Sequence, residues 1–387
     1  MNILAIETSC DETAISIVSF EENGASPKVT VLGHALFSQI DIHKPYGGVY
    51  PNLAKRAHAA NLVPILLEAL TQANMLGGTT ELSPLQEEEL THLFEREAGL
   101  DESLMTALKT QGKPSIDAIA VTNGPGLEPA LWVGINFAKA LSRVWNLPLF
   151  PTNHMEGHIA SVLAEPEFGE SGFAFPALAL LISGGHTDLV YLTGWAQYKL
   201  VGHTIDDAVG EAYDKTARML GLPYPGGPEI KKIADEHRAQ FPTYTEVFNL
   251  PRPMLQHDNL DFSFAGLKTA VLYRIKNGLV EDDGAKHALA REFEQAVADT
   301  LVGKVKKALK EYPASYLIVA GGVAANMYLR EQLISRLKED NVTVVFPPRE
   351  LSTDNATMIA IASYLRIRDG RDGADPTIIS AEGNVTL

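Results

Sequence analysis

Short apolar runs alternate with polar or glycine-rich turns along this chain, and the series of runs occurs twice. Ile3, Leu4 and Ile6 lead into the polar turn Thr8-Ser9-Cys10-Asp11-Glu12-Thr13, and Ile15, Ile17 and Val18 lead out, which predicts strand, tight turn, strand. Residues 178–182 do the same into Ser183-Gly184-Gly185-His186-Thr187, with a second apolar run at 189–192. Residues 116–121 run into Asn123-Gly124-Pro125-Gly126-Leu127 and a helical pattern; residues 316–319 run into Ala320-Gly321-Gly322-Val323-Ala324-Ala325-Asn326 and another. A further short strand follows each, at 147–150 and 342–346, then a proline-containing turn and a helix, at 154–163 and 353–365. The shared order predicts an α/β protein of two duplicated lobes with a cleft between them.

A length of 387 residues suits two domains. Lobe I is expected over 1–172 and lobe II over 173–355, with the stretch 356–387 packing back on lobe I. The Pro-, Gly- and Glu-rich segment 165–176 is the expected join. Residues 77–115 fit neither copy. Leu90, Leu93, Phe94, Leu100, Leu104 and Leu108 recur there at helical spacing beside Glu87, Glu88 and Glu89, predicting an acidic helical pair. It reads as a solvated surface excursion, with a docking arm as the alternative.

The start shows no basic stretch followed by an apolar run, and no stretch nears the ~18 apolar residues of a membrane helix. The single cysteine, Cys10, suits a reducing compartment, so a cytoplasmic protein off the membrane is expected. A formal charge of −16 excludes nucleic-acid binding by bulk electrostatics. Local patches would have to serve: Lys55-Arg56 with His58, Arg252, Lys268, Arg274, or Lys304, Lys306, Lys307 and Lys310, the last group reading rather as a solvated face.

Glycines at strand ends let backbone N–H groups converge on an anion, and here they recur at Gly184-Gly185, Gly226-Gly227, Gly321-Gly322, Gly124 and Gly126. Plain tight turns explain them equally well. In His154-Met155-Glu156-Gly157-His158 the histidines share one helical face and are placed to share a metal, against the alternative of capping or hydrogen-bonding roles. Met155 stands where the zinc-protease motif needs Glu, so a protease base is not supported. Asp354 starts the second-half helix that matches the histidine helix, and pseudo-symmetry predicts that the two helix starts meet across the cleft. Two imidazoles and a carboxylate form a site type for Fe(II) or Zn(II); an N-cap is the alternative role for Asp354. Asp206, Asp207, Glu211 and Asp214 read as an acidic helix face beside Lys215.

The segments IETSCDET at 6–13, HMEGH at 154–158, LLISGGHTDL at 180–189, TIDDAVGEAYDKTARMLGLPYPGGP at 204–228, FSFAGLKTAV at 262–271, AGGVAANMYLR at 320–330 and STDNATMIA at 352–360 occur in order. Together they resemble the tRNA N6-adenosine threonylcarbamoyltransferase family, in its bacterial form, formerly described as a glycoprotease. The resemblance implies an actin/Hsp70/sugar-kinase-like fold. It also implies transfer of threonylcarbamoyl from threonylcarbamoyl-AMP to N6 of adenosine 37, in tRNAs reading codons that start with A. By motif, His154, His158 and Asp354 would hold the metal, Fe2+ ahead of Zn2+. Leu181, Ile182, Ser183, Gly184, Gly185, Asp214, Gly227 and Asn326 would contact the donor, and Asp11, with Glu12 beside it, would be catalytic. Implied partners are tRNA, a shorter same-fold paralogue and a P-loop ATPase. Two positions depart from the family: His203 stands where Glu is usual, and Lys231 where some bacterial members have Asp. The rival readings are an ATP-dependent kinase or ATPase of the same fold and a non-catalytic scaffold paralogue, the latter disfavoured because both histidines and Asp354 are present.

Overall fold

The computed structural model describes residues 1–22, 27–165, 168 and 173–387. Half of the expected join at 165–176 therefore lies outside the described residues. The chain divides into two compact units, one of Met1–Phe173 with Asp354–Leu387 and one of Ala174–Thr353.

The first unit is built on β1 (Asn2–Glu7), β2 (Glu12–Glu21), β3 (Lys28–Ser38), β4 (Ala118–Gly124) and β5 (Leu149–Asn153), in the spatial order β3-β2-β1-β4-β5. The second holds β6 (Ala177–Ile182), β7 (Thr187–Gly194), β8 (Gln197–His203), β9 (Tyr316–Ala320) and β10 (Thr343–Val345), in the order β10-β9-β6-β7-β8. Counted outward from β1 and from β6, the two orders are the same. Three strands pair antiparallel on one side, and two parallel strands follow on the other. The duplication predicted from the apolar runs is thus present in the sheets. Central strands β1 and β6 are almost wholly buried, as covered parallel pairing requires, and so they read as continuous apolar runs. The edge strands β3 and β8 mix exposed polar residues with apolar ones, which hid them from a reading based on apolar runs.

The main helices are α1 (Pro51–Gln72), α2 (Pro84–Leu93), α3 (Leu100–Thr110), α4 (Glu128–Trp145), α5 (His154–Ala160), α6 (Val209–Met219), α7 (Gly226–Gln240), α8 (Ala265–Lys276), α9 (Asp283–Glu311), α10 (Met327–Leu337) and α11 (Ala356–Arg368). Two of them position the site. Helix α4 lies so close to the turn after β1 that a Cβ at Gly134 would fall 2.2 Å from Thr8 Oγ1. Helix α11 follows the second unit in sequence but packs on β1, β2, β5 and α5 of the first, buried from Ala356 to Tyr364. Ser16 Oγ and Thr357 Oγ1, 2.8 Å apart, tie it to β2.

The segment 77–115 is helical as predicted, but it is not a solvated excursion. Leu90, Phe94, Leu100, Leu104 and Leu108 are buried in one apolar cluster with Leu4, Ile6, Leu66 and Leu131. Each fully buried leucine contributes roughly 1.5–3 kcal/mol, so this helical pair is part of the first unit's core. The acidic reading of Asp206 and Asp207 also changes. Both precede α6; Asp206 accepts the backbone N–H groups of Phe264 and Ala265 at 2.8 and 3.2 Å, and Asp207 pairs with Lys215 and Lys268.

Candidate functional site

Asn153 caps α5, its Oδ1 accepting the Met155 and Glu156 N–H groups at 2.9 and 3.2 Å, so the helix begins at His154. His154 and His158 then meet edge to face one turn apart, ring centroids 4.7 Å from each other. Before α11, Asn355 takes the cap by accepting Met358 N–H at 2.9 Å, so Asp354 is not spent on capping. Its Oδ1 stands 3.1 Å from His158 Nε2 and 3.5 Å from His154 Nε2, and the three prospective ligand atoms lie within 4.8 Å of one another. Because α11 packs on the first unit, the whole triad belongs to that unit; symmetry between lobes is not what assembles it. Glu156 is buried and ion-paired with Arg366, which accounts for its absence from the triad.

The surroundings suit a cation. Glu7, Asp11 and the triad are buried or nearly so, with Glu12 beside them. Burial opposes charge on His154, but Asp354 and Glu7 outweigh it and hold the imidazolium well favoured. Burial likewise works against the Asp354 carboxylate, and the two histidines reverse that effect strongly. Glu12 is pushed well up by burial and by the charges of Asp354 and Asp11. Burial raises Asp11 too, the Cys10 hydrogen bond pulling it back and Asp354 adding to the rise. So many carboxylates in one low-dielectric place repel each other unless positive charge stands among them, and a set of two histidines and one carboxylate is apt for Fe(II) or Zn(II). Among the described residues, buried His158 Nδ1 has no hydrogen-bond partner.

In the second unit a cavity of about 500 Å³ is lined by Gly184, Gly210, Tyr213, Asp214, Gly227, Lys231, Gly322, Asn326 and Arg349, among others. That volume lies in the usual range of small-molecule sites. Of the sequence-predicted contacts, Gly184, Asp214, Gly227 and Asn326 meet here. Leu181 and Ile182 are buried in β6, and neither Ser183 nor Gly185 is among the lining residues. The glycines separate into two kinds. A Cβ at Gly184, Gly227 or Gly322 would meet nothing within 4 Å, so these backbones face open space. At Gly321, with φ +94°, a Cβ would lie 2.5 Å from Ile182 O, and at Gly226 it would strike Asp214 Cα at 2.7 Å. Gly124 and Gly126 of the first unit are of the second kind, closed by Glu382 O at 2.1 Å and Ser9 O at 2.7 Å. The expectation of a matching phosphate loop there is not met. Asp214 accepts Gly226 N–H at 2.7 Å, and Asn326 caps α10 while donating to buried Glu294 at 2.7 Å. Tyr213, Lys231 and Arg349 were not assigned from sequence as contacts; only the proximity of Lys231 to Gly227 pointed to one of them.

The candidate phosphate-binding cations are mostly engaged within the protein. His58 is fully buried, donates from Nε2 to Cys10 O at 3.1 Å, and is lowered by burial to about 4, hence neutral. Lys55 pairs with Glu97, Arg252 with Glu246 and Asp299, Lys268 with Asp207, and Lys306 with Asp340. Lys304, also buried, donates to Asn259 O at 2.6 Å, Lys307 to His257 O, and Arg274 to Phe248 O at 2.7 Å. The reading of Lys304 as solvated is thereby corrected.

These two sheets of shared strand order define a protein of the actin-like class. The full-length HypF structure in its phosphate- and nucleotide-bound form has the same fold, with a TM-score of 0.56 and 11% identity over 96% of this chain and 56% of that one. T. kodakarensis HypF also matches at 0.56, with 14% identity over 95% and 48%. At the sequence level, the family model for TsaD, tRNA N6-adenosine threonylcarbamoyltransferase, matches residues 30–77 and 98–361. The tRNA N6-adenosine threonylcarbamoyltransferase of Polynucleobacter asymbioticus (strain DSM 18221 / CIP 109841 / QLW-P1DMWA-1) is 42% identical over 385 residues, 97% of this chain and 95% of the relative. That of Polynucleobacter necessarius subsp. necessarius (strain STIR1) is 41% identical over 383 residues, covering 97% and 94%. The chain belongs to the tRNA N6-adenosine threonylcarbamoyltransferase family, and its activity is threonylcarbamoylation of adenosine in tRNA. Within the segment read as an insertion, the family model leaves out 78–97 but matches 98–115.

Proposed function

We propose that the chain transfers threonylcarbamoyl from threonylcarbamoyl-AMP to N6 of adenosine 37 in tRNAs reading A-starting codons, as a metal-dependent cytoplasmic enzyme. The observation that carries the metal-dependent part is the convergence of His154, His158 and Asp354 beside Asp11. These three residues would hold a divalent ion, Fe2+ ahead of Zn2+, which would supply Lewis acidity toward the donor.

The chain's own groups do the rest. Gly184, Gly227 and Gly322 line a cavity of about 500 Å³ with open space at each, and this is where the donor's adenylate binds, with backbone N–H groups as the donors to its anionic oxygens. An adenine amine is a weak nucleophile, so the acyl group arrives activated with AMP as leaving group. Asp11, which burial raises from its ordinary value, accepts the amine proton as N6 attacks. Burial and the charges of Asp354 and Asp11 push Glu12 up further than Asp11, which leaves Asp11 the more readily ionised of the two.

With most candidate cations paired internally, tRNA binding relies on partners: a shorter same-fold paralogue and a P-loop ATPase. The test is reconstitution with the paralogue, the P-loop ATPase, unmodified tRNA, threonine, bicarbonate, ATP and a donor synthase, followed by nucleoside mass spectrometry. Threonylcarbamoylated adenosine only when this chain is present is the expected result. ATP hydrolysis by this chain alone, with no modified nucleoside in the full mixture, would instead favour the kinase or ATPase reading.

A further inference from the structure

We propose that Glu7 is the positioning residue of the metal centre, locking His154 so that Nε2 faces the ion; this rests on the metal reading above. Glu7 ends β1 with no solvent exposure. Its Oε2 accepts from Thr122 Oγ1 at 2.5 Å and lies 3.0 Å from His154 Nδ1, while Oε1 accepts Ser9 N–H at 2.5 Å. Thr122 is itself buried on the adjacent parallel strand β4, so the carboxylate is held from a neighbouring strand and from the turn backbone. Ser9 Oγ lies 3.2 Å from the same Nδ1.

An ionised carboxylate only accepts, so Nδ1 carries the proton and donates to Glu7. On the other side of the ring Nε2 faces Asp354 at 3.5 Å, and with an ion bound it would give up its proton and present its lone pair there. The duplicated sheet supplies a control within the same molecule. The corresponding last residue of β6 is Ile182, also fully buried. The fold therefore accepts a hydrocarbon at this register, and a buried carboxylate there needs a purpose beyond packing. His158, whose Nδ1 lacks a partner among the described residues, has no such orienting group. His154 is the fixed ligand of the pair.

The experiment uses full-length protein stripped of metal and titrated with Zn2+ or Co2+ against a chromophoric chelator, for wild type, Glu7→Gln and His154→Ala. Glu7→Gln is expected to raise the metal Kd about 10–100-fold and to alter the Co2+ visible spectrum, with the apo melting temperature unchanged. A Kd within about twofold of wild type overturns the proposal. So does a loss of affinity matched by an equal loss of apo stability, because Glu7 would then be merely structural. If Glu7→Gln does not fold, Glu7→Asp, which keeps the charge but withdraws the carboxylate, is read by the same criteria. Wild type binding no better than His154→Ala would overturn the metal reading itself; wild-type binding matched by Glu7→Gln would overturn only this inference.

Discussion

The two sheets share one strand order, yet the turns that follow β1 and β6 are put to opposite uses. After β1 the turn is rich in side chains: Glu7 reaches back to Ser9, Asp11 is buried, and the glycines of the facing turn are closed by Ser9 and Glu382. After β6 the turn carries Gly184 and Gly185, neither of which has an atom within 4 Å of where a Cβ would be. One unit fills the position with titratable side chains; the other leaves open space there. The frame is shared, and the residues at the strand ends make the two turns differ.

The largest expected effect comes from breaking the first unit's half. His158→Ala should leave purified protein without stoichiometric metal by elemental analysis and lower transfer from pre-made donor by about 10³-fold or more, some 4 kcal/mol of transition-state stabilisation. His158 is buried beside Ile159 and α11, so apo melting must be measured in parallel. Full metal content in the variant would remove the triad from the mechanism.

A paired test sharpens the second unit's half. Gly322→Val puts a side chain into open space and should weaken adenylate binding about tenfold or more by calorimetry while barely moving the melting temperature. Its neighbour tests the other kind of glycine. Gly321→Ala must take φ +94° with its Cβ 2.5 Å from Ile182 O, at a cost of about 2–4 kcal/mol in denaturant unfolding. If both variants lose stability equally, the distinction between open and closed glycines is wrong.

Much of this division was legible in the sequence, for reasons that also show where legibility ends. Central strands had to be continuous apolar runs because both faces are covered, so β1, β4, β6 and β9 were found; β3 and β8, half-exposed, were not. His154 and His158 declare themselves by spacing, and Asp354 by its place before a helix. That they assemble within one unit was hidden, since it depends on α11 returning to pack on β1 and β2. Glu7 was given no role, standing between Ile6 and the polar turn that opens at Thr8; the available signal was its alignment with Ile182. Lys55 and Lys268 read as free cations because their partners Glu97 and Asp207 lie far along the chain, as does Asp299, one of the two partners of Arg252.

The smallest effect concerns Asp188, in β7 directly after the open turn and across the ladder from His203. Burial raises its carboxyl to about 6, with His203 pulling the other way. The folded state therefore holds a proton that the unfolded chain, ionising near 3.8, has already lost. Below about pH 4 both states are protonated and nothing is lost; between about 4 and 6 stability falls as pH rises, and above 6 the cost is constant. The shift corresponds to at most about 3 kcal/mol, or about 1–2 kcal/mol after solvent screening of a partly exposed group. Asp188→Asn should therefore raise unfolding free energy by that amount at pH 7.5 and by nothing at pH 3.5. His203→Glu, restoring the residue usual in the family, takes away the opposing positive charge and adds a negative one. It should move the midpoint of the pH-dependent loss upward in wild type, and leave Asp188→Asn, which has no carboxyl at that position to respond, without such a shift.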